Sequence, residues 1–132
     1  MQPSSIHAGE FPPGYFRFTP AEFLELMGGD IPIAVDIIET AQVEAAAQQG
    51  RIAAIPVGGD ADTTSRMLHA MRGSVANFGA EPLVELLREM EAACKQGGNS
   101  AVLSFMQQFT SECACYQKGL ACFLAALRAV NT

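Results

Sequence analysis

The chain has 132 residues, 49% of them hydrophobic, and 14 acidic against 8 basic side chains leave a net charge of −6. That length suits one domain, and the acidic balance argues against nucleic acid, whose recognition rests on a basic stripe. No apolar run approaches the roughly eighteen residues of a membrane span, and Met1 to Gly9 lack the basic start and apolar core of a secretory signal, so the cytoplasm is the expected location.

Residues 1–18 hold Pro3, Pro12, Pro13 and Gly14 among scattered aromatics and read as an irregular tail, with Phe16 or Phe18 available to dock on the body. His7 in this tail reads as a solvated, inert side chain. The rest, residues 19–132, reads as one helical bundle domain.

Thr19-Pro20-Ala21-Glu22 is a capping box with proline at the first helical position, and Phe18 and Phe23 are spaced as a hydrophobic staple. Gly28-Gly29 ends this short helix. Asp30 then caps a second helix from Ile31 to about Gln49, with Ile31, Ala34, Val35, Ile38, Ala41 and Ala45 as its apolar stripe. Gly50 is one candidate terminator and Pro56 a later one. Val57 to Asp62 reads as a loop, and its Gly58-Gly59 lacks the Gly-Lys-Ser/Thr of a phosphate-cradling loop.

Asp62 or a neighbour caps the third helix, which runs to Phe78 with Gly79 as its left-handed terminator. Leu68, Met71, Val75 and Phe78 form its apolar stripe. Pro82 opens a fourth helix, and Leu83, Leu86, Leu87, Met90 and Ala93 or Cys94 supply its buried side. Gly97-Gly98 is expected to end it, with Asn99 or Ser100 capping the last helix. There Val102, Met106, Phe109, Cys113, Tyr116, Leu120, Phe123 and Leu127 alternate spacings of four and three. Amphipathic helices joined by short loops predict an antiparallel four-helix bundle with a short additional N-terminal helix.

The four cysteines do not read as a metal or disulfide framework. Cys113 and Cys115 are two apart on a helix and face roughly 200° from one another. They read as reduced, mostly buried thiols.

The third helix carries the chemistry. His69 points roughly 140° away from the centre of the apolar stripe, with Arg72 at i+3 and Gly73 one turn below it. As a general base it lacks a visible nucleophile or paired carboxylate. As a metal ligand it lacks a second ligand, since i+3 and i+4 are a cation and a glycine. A cation beside the ring favours a bound anion, and a glycine lets another surface approach. On spacing alone, a phosphoryl-carrying imidazole and an inert surface histidine both remain, the second the heavier. Arg66, Arg72, Arg88 and Lys95, half of the basic residues, lie in or just after this stretch and suit an acidic partner surface.

His69-Ala-Met-Arg72-Gly73-Ser74-Val-Ala-Asn77-Phe78-Gly79-Ala80 resembles the signature of histidine-containing phosphotransfer (HPt) domains, His-x-Leu-Lys-Gly-Ser-Ala-x-x-Leu-Gly-Ala. Leu26 to Asp30 and Leu83 to Glu91 resemble the flanking family segments, so the likeness spans residues 19–128. It implies that His69 is the phosphorylated residue and that Arg72, in place of the family lysine, steadies the phosphoryl group. Gly73 would leave room for a partner, with Arg66, Ala76 and Asn77 beside it on the docking surface, and Ser74 available to touch phosphate or partner. The implied partners are a response-regulator receiver domain and a hybrid sensor histidine kinase. The receiver would supply Mg²⁺ and most of the catalysis, so the chain would be a carrier, binding no cofactor of its own. The alternative is a docking module that binds a receiver or kinase without carrying phosphate. Two departures stand out besides Arg72: Met71 replaces leucine, and Arg51 to Asp62 is longer and richer in proline and glycine than the usual turn.

Overall fold

The computed structural model describes residues 14–130, so His7 and the prolines of the tail lie outside the described residues. Helix α1, Pro20–Leu26, begins at the expected capping box. Thr19 Oγ1 accepts from the Glu22 N–H at 3.1 Å and Glu22 Oε1 from the Thr19 N–H at 2.9 Å. Phe18 and Phe23 form the staple, their ring centroids 5.6 Å apart. Gly28 and Gly29 both take left-handed backbone, φ 71° and 78°, which reverses the chain into the next cap. Asp30 Oδ1 there accepts from the Ile33 N–H at 3.1 Å.

Helix α2, Ile31–Ala53, takes the later of its two candidate ends, continuing through Gly50 and stopping ahead of Pro56. Gly50 remains helical because it lies opposite the stripe, and buried Gln48 and Ile52 carry the inward face one turn further. Packing decides this, against a local cost of roughly 0.5–1 kcal/mol for glycine in a helix. Ala54 to Asp60 then form a tethered connection rather than an open loop. Ile55 is buried, and Asn99 Nδ2 donates to the Pro56 carbonyl at 2.7 Å.

Helix α3 spans Ala61–Ala76 and is capped by Asp60, not Asp62. The Asp60 carboxylate accepts from the Thr63 hydroxyl at 2.7 Å and the Asp62 N–H at 3.3 Å, and these bonds hold its pKa below the ordinary value. The helix ends two residues before Phe78. Gly79, φ 69°, makes the turn as expected.

Helix α4, Glu81–Leu103, contains non-helical Gly98, φ 69° and ψ −159°. The glycine pair thus breaks the helix, and residues 99–103 form a short helical bridge. Asn99 does not begin the last helix. Its side-chain N–H donates to the Pro56 carbonyl, and α5 starts later, at Met106–Val130. Val102 is buried on the bridge, while Phe109, Cys113, Tyr116, Leu120, Phe123 and Leu127 follow the expected stripe of α5.

Helices α2 to α5 close a four-membered ring in which α3 packs on α2 and α4, and α5 on α4 and α2. Among the described residues there is no strand, and no helix is long and apolar enough to cross a membrane. Tyr15 to Phe18 strap the end of the bundle where α3 stops. The Phe16 ring meets Phe78, Tyr116 and Phe123 edge-on at 6.4, 6.0 and 5.6 Å between centroids. The Arg17 N–H donates to the Phe78 carbonyl at 2.7 Å, and its guanidinium to Ala76 O at 3.3 Å. None of the four cysteines forms a disulfide. Cys94 and Cys113 are buried, burial pushing the Cys113 thiol up to about 12, whereas Cys115 is exposed and Cys122 half-buried.

Candidate functional site

Four buried side chains of α3, Thr64, Leu68, Met71 and Val75, root the helix in the core and turn its opposite face outward. His69 stands on that face with 71% of its side chain exposed. Arg72, one turn on, reaches across to Glu91 of α4, a carboxylate only 13% exposed. Arg72 Nε donates to Glu91 Oε2, and Nη2 donates to Oε1 at 3.4 Å, a fork-to-carboxylate pairing. Burial alone would raise the Glu91 pKa. The hydrogen bonds and charge of Arg72 and His69 outweigh that and hold it below its ordinary 4.5.

The imidazole is anchored to this pair through one nitrogen. His69 Nδ1 lies 3.3 Å from Glu91 Oε1 and 3.1 Å from Arg72 Nη2. It donates to the carboxylate in one neutral tautomer and accepts from the guanidinium in the other. For a ring nucleophile the first is needed: a proton on Nδ1 leaves the Nε2 lone pair free. Both contacts are at Nδ1, so Nε2 is unengaged among the described residues.

Gly73 is exposed, and a Cβ built there would meet nothing within 4 Å. Among the described residues no packing requires a glycine there, so its helix cost has no return from them. Arg66 is exposed, and with Asp62, Ser65, Glu91 and Lys95 it borders a shallow depression around His69. The structure therefore brings Arg66, Arg72 and Lys95 to one face, while Arg88 pairs with Glu85 on α4. Ala76 is half-buried with its carbonyl taken by Arg17, and exposed Asn77 ends α3. Ser74 donates to the Ala70 carbonyl at 3.2 Å and accepts from Gln48 Nε2 at 3.4 Å. Among the described residues no group of three or more histidine, cysteine or acidic side chains is placed to hold a metal ion.

Glu91 is the residue that motif reading passed over. It lies 22 positions from His69, beyond any helical spacing, yet it adjoins Met90 at the margin of the apolar stripe of α4. A carboxylate at such a margin needs a cationic partner, and that was its only local sign.

The model of the Hpt domain family matches residues 34–129, from the first turn of α2 to the end of α5 and so without α1 and the strap. Comparison with curated proteins and with solved structures returned no match. Hpt domains are phosphocarrier modules that work with receiver domains and histidine kinases in phosphorelays. With that match covering most of the residues, and His69 exposed on a four-helix bundle, the chain belongs to the Hpt domain family.

Proposed function

We propose that this protein carries a phosphoryl group on His69 Nε2 between the aspartates of response-regulator receiver domains, within a phosphorelay fed by a hybrid sensor histidine kinase. The observation that supports this most directly is the one-sided contact of the ring: in the tautomer with the proton on Nδ1, that nitrogen donates to Glu91 and Nε2 is left to react.

In this reading the Nε2 lone pair attacks phosphorus of a receiver aspartyl phosphate. The N–P bond forms, the O–P bond breaks, and the aspartate leaves as a carboxylate. The ring becomes cationic, with its proton on Nδ1, and Glu91 is already in place to stabilise that charge. Arg72 remains tied to Glu91 but keeps N–H donors for the phosphoryl oxygens. Mg²⁺ belongs to the receiver, which does most of the catalysis, and the reverse transfer follows the same path.

The test is to incubate the protein with phosphorylated receivers, or with a hybrid kinase and ATP, and to measure acid-labile phosphate on it. Wild type should be labelled and His69→Gln should not. Labelling that survives in His69→Gln removes the site assignment. Failure of every donor to label wild type favours the docking module that carries no phosphate.

A further inference from the structure

Phosphoryl transfer to His69 leaves a charge unmatched. A phosphoryl group on Nε2 brings roughly two negative charges, and the ring, with its proton on Nδ1, returns one positive. Arg72 does not make up the difference, because the Glu91 carboxylate cancels it at close range: Arg72 Nε and Nη2 both donate to Glu91. Glu91 also stands 3.3 Å from the ring, where its charge repels phosphoryl oxygens while it attracts the ring cation. A further cation is needed from outside this pair.

The seam between α3 and α4 holds one. The two helices run antiparallel: His69 meets Glu91, and further along the seam Cys94 Sγ donates to the Ala61 carbonyl at 3.4 Å. Positions after Glu91 on α4 therefore lie beside positions before His69 on α3. Arg72 stands on one side of the imidazole along this seam. On the other side His69 shares a depression with Arg66 and Lys95, and Arg72 does not border it. Lys95 is four residues beyond Glu91, so it shares that residue's face of α4 about 6 Å further along the axis. Nδ1 is the nitrogen in contact with Glu91, and the ring edge carrying Nε2 is the one left to a group seated in the depression.

The two cations of the depression are exposed but not equivalent. Arg66 acts on the Asp60 carboxylate that caps α3, whose pKa its charge helps to lower. Lys95 enters no hydrogen bond or ion pair among the described residues. Asp62, which also borders the depression, stands seven residues before His69, about 10 Å along α3. An ammonium is a compact point charge on a flexible four-carbon stem, suited to reach from α4 to the oxygens of a group held on a neighbouring ring.

We propose that Lys95 is the cation that holds the phosphoryl oxygens on His69, while Arg72 chiefly neutralises Glu91 and fixes the ring. This rests on the phosphotransfer reading and names the residue that binds the transferred group.

Phosphoramidate, a small donor that needs no receiver, tests the role without any docking surface. The Nε2–P bond forms, the donor's N–P bond breaks, and ammonia leaves. Labelling of His69 is followed as acid-labile phosphate in wild type, Lys95→Gln, Lys95→Arg and Lys118→Gln, the last removing an equal charge from α5. Lys95→Gln should label about fivefold more slowly, and Lys95→Arg, which keeps the charge, within about twofold of wild type. Lys118→Gln should match wild type. An unchanged rate in Lys95→Gln, no rescue in Lys95→Arg, or equal slowing in Lys118→Gln overturns the role of Lys95. So does a wild type that phosphoramidate leaves unlabelled, because a group bound by the chain's own residues needs no receiver. The phosphotransfer reading fails separately, if phosphoramidate labels His69 and no phosphorylated receiver does.

Discussion

Helix α3 has two neighbours in the ring, and the two seams are built differently. Against α4, Arg72, Glu91 and His69 satisfy one another, and the carboxylate is largely shielded. Against α2, Gln48 keeps a buried orphan oxygen, and Asp36, Glu44, Arg51 and Arg66 face outward without ion-pair partners among the described residues. A reacting side chain gains from an environment set before its partner arrives, because reorganisation during the reaction adds to the barrier. A docking surface gains from the opposite, since groups already satisfied at home have nothing to exchange for a partner. In the proposed function, the seam with α4 holds the reacting ring in place, while the seam with α2 keeps polar groups unpaired.

The sharpest way to break this division is Gly73→Glu. A carboxylate one turn below His69 enters open space, so the helical content should stay intact by circular dichroism. Repulsion and loss of close approach should cut transfer by more than about 100-fold, since like charges brought together cost several kcal/mol. Normal transfer would mean that no partner sits over Gly73.

Glu91→Gln tests the finished seam. A hydrogen bond to a charged group contributes about 1.5–3 kcal/mol, so transfer should fall roughly 10- to 100-fold. The ¹⁵N shifts of the His69 ring should also lose their bias towards the Nδ1–H tautomer, and an unchanged tautomer would reduce Glu91 to a structural role. The pH dependence has a definite sign. Because folding lowers the Glu91 pKa below 4.5, the pair stabilises the fold fully above that value and is lost as pH falls through the lower folded one. The Arg72 Nε–H resonance should therefore titrate with a midpoint below 4.5.

Two alanine substitutions contrast glycines on the same stretch of chain. Gly79→Ala should destabilise by at least about 1–2 kcal/mol in urea, because φ is 69° and the new Cβ runs into Arg17. Gly73→Ala, in regular helix with nothing nearby, should stabilise by about 0.5–1 kcal/mol. A stability gain at Gly73 together with slower transfer would identify that glycine as kept for the partner.

Local signals were legible wherever the relevant groups are neighbours in sequence. The Thr19 capping box, the Phe18–Phe23 staple, the turn at Gly79 and the α5 stripe are as read, because each depends on a few adjacent residues and helical geometry. Helix extents that local signals left open or misplaced were set by tertiary packing. Buried Gln48 and Ile52 carry α2 through Gly50, and Asn99, tied to Pro56, leaves the start of α5 to Met106.

The site divides along the same line. His69, Arg72 and Gly73 stand at i, i+3 and i+4 of one helix, so the sequence by itself determined that they share an outward face and that a cation and a bare patch lie beside the imidazole. Which ring nitrogen is tethered, what Arg72 is doing before any phosphate arrives, and which polar groups of the α2 seam remain unsatisfied were decided only by the tertiary structure. Glu91 and Gln48 lie 22 and 26 residues from their partners. No helical period relates such positions, and only the packing of α4 and α2 against α3 brings a carboxylate to the imidazole and leaves an acceptor without a donor.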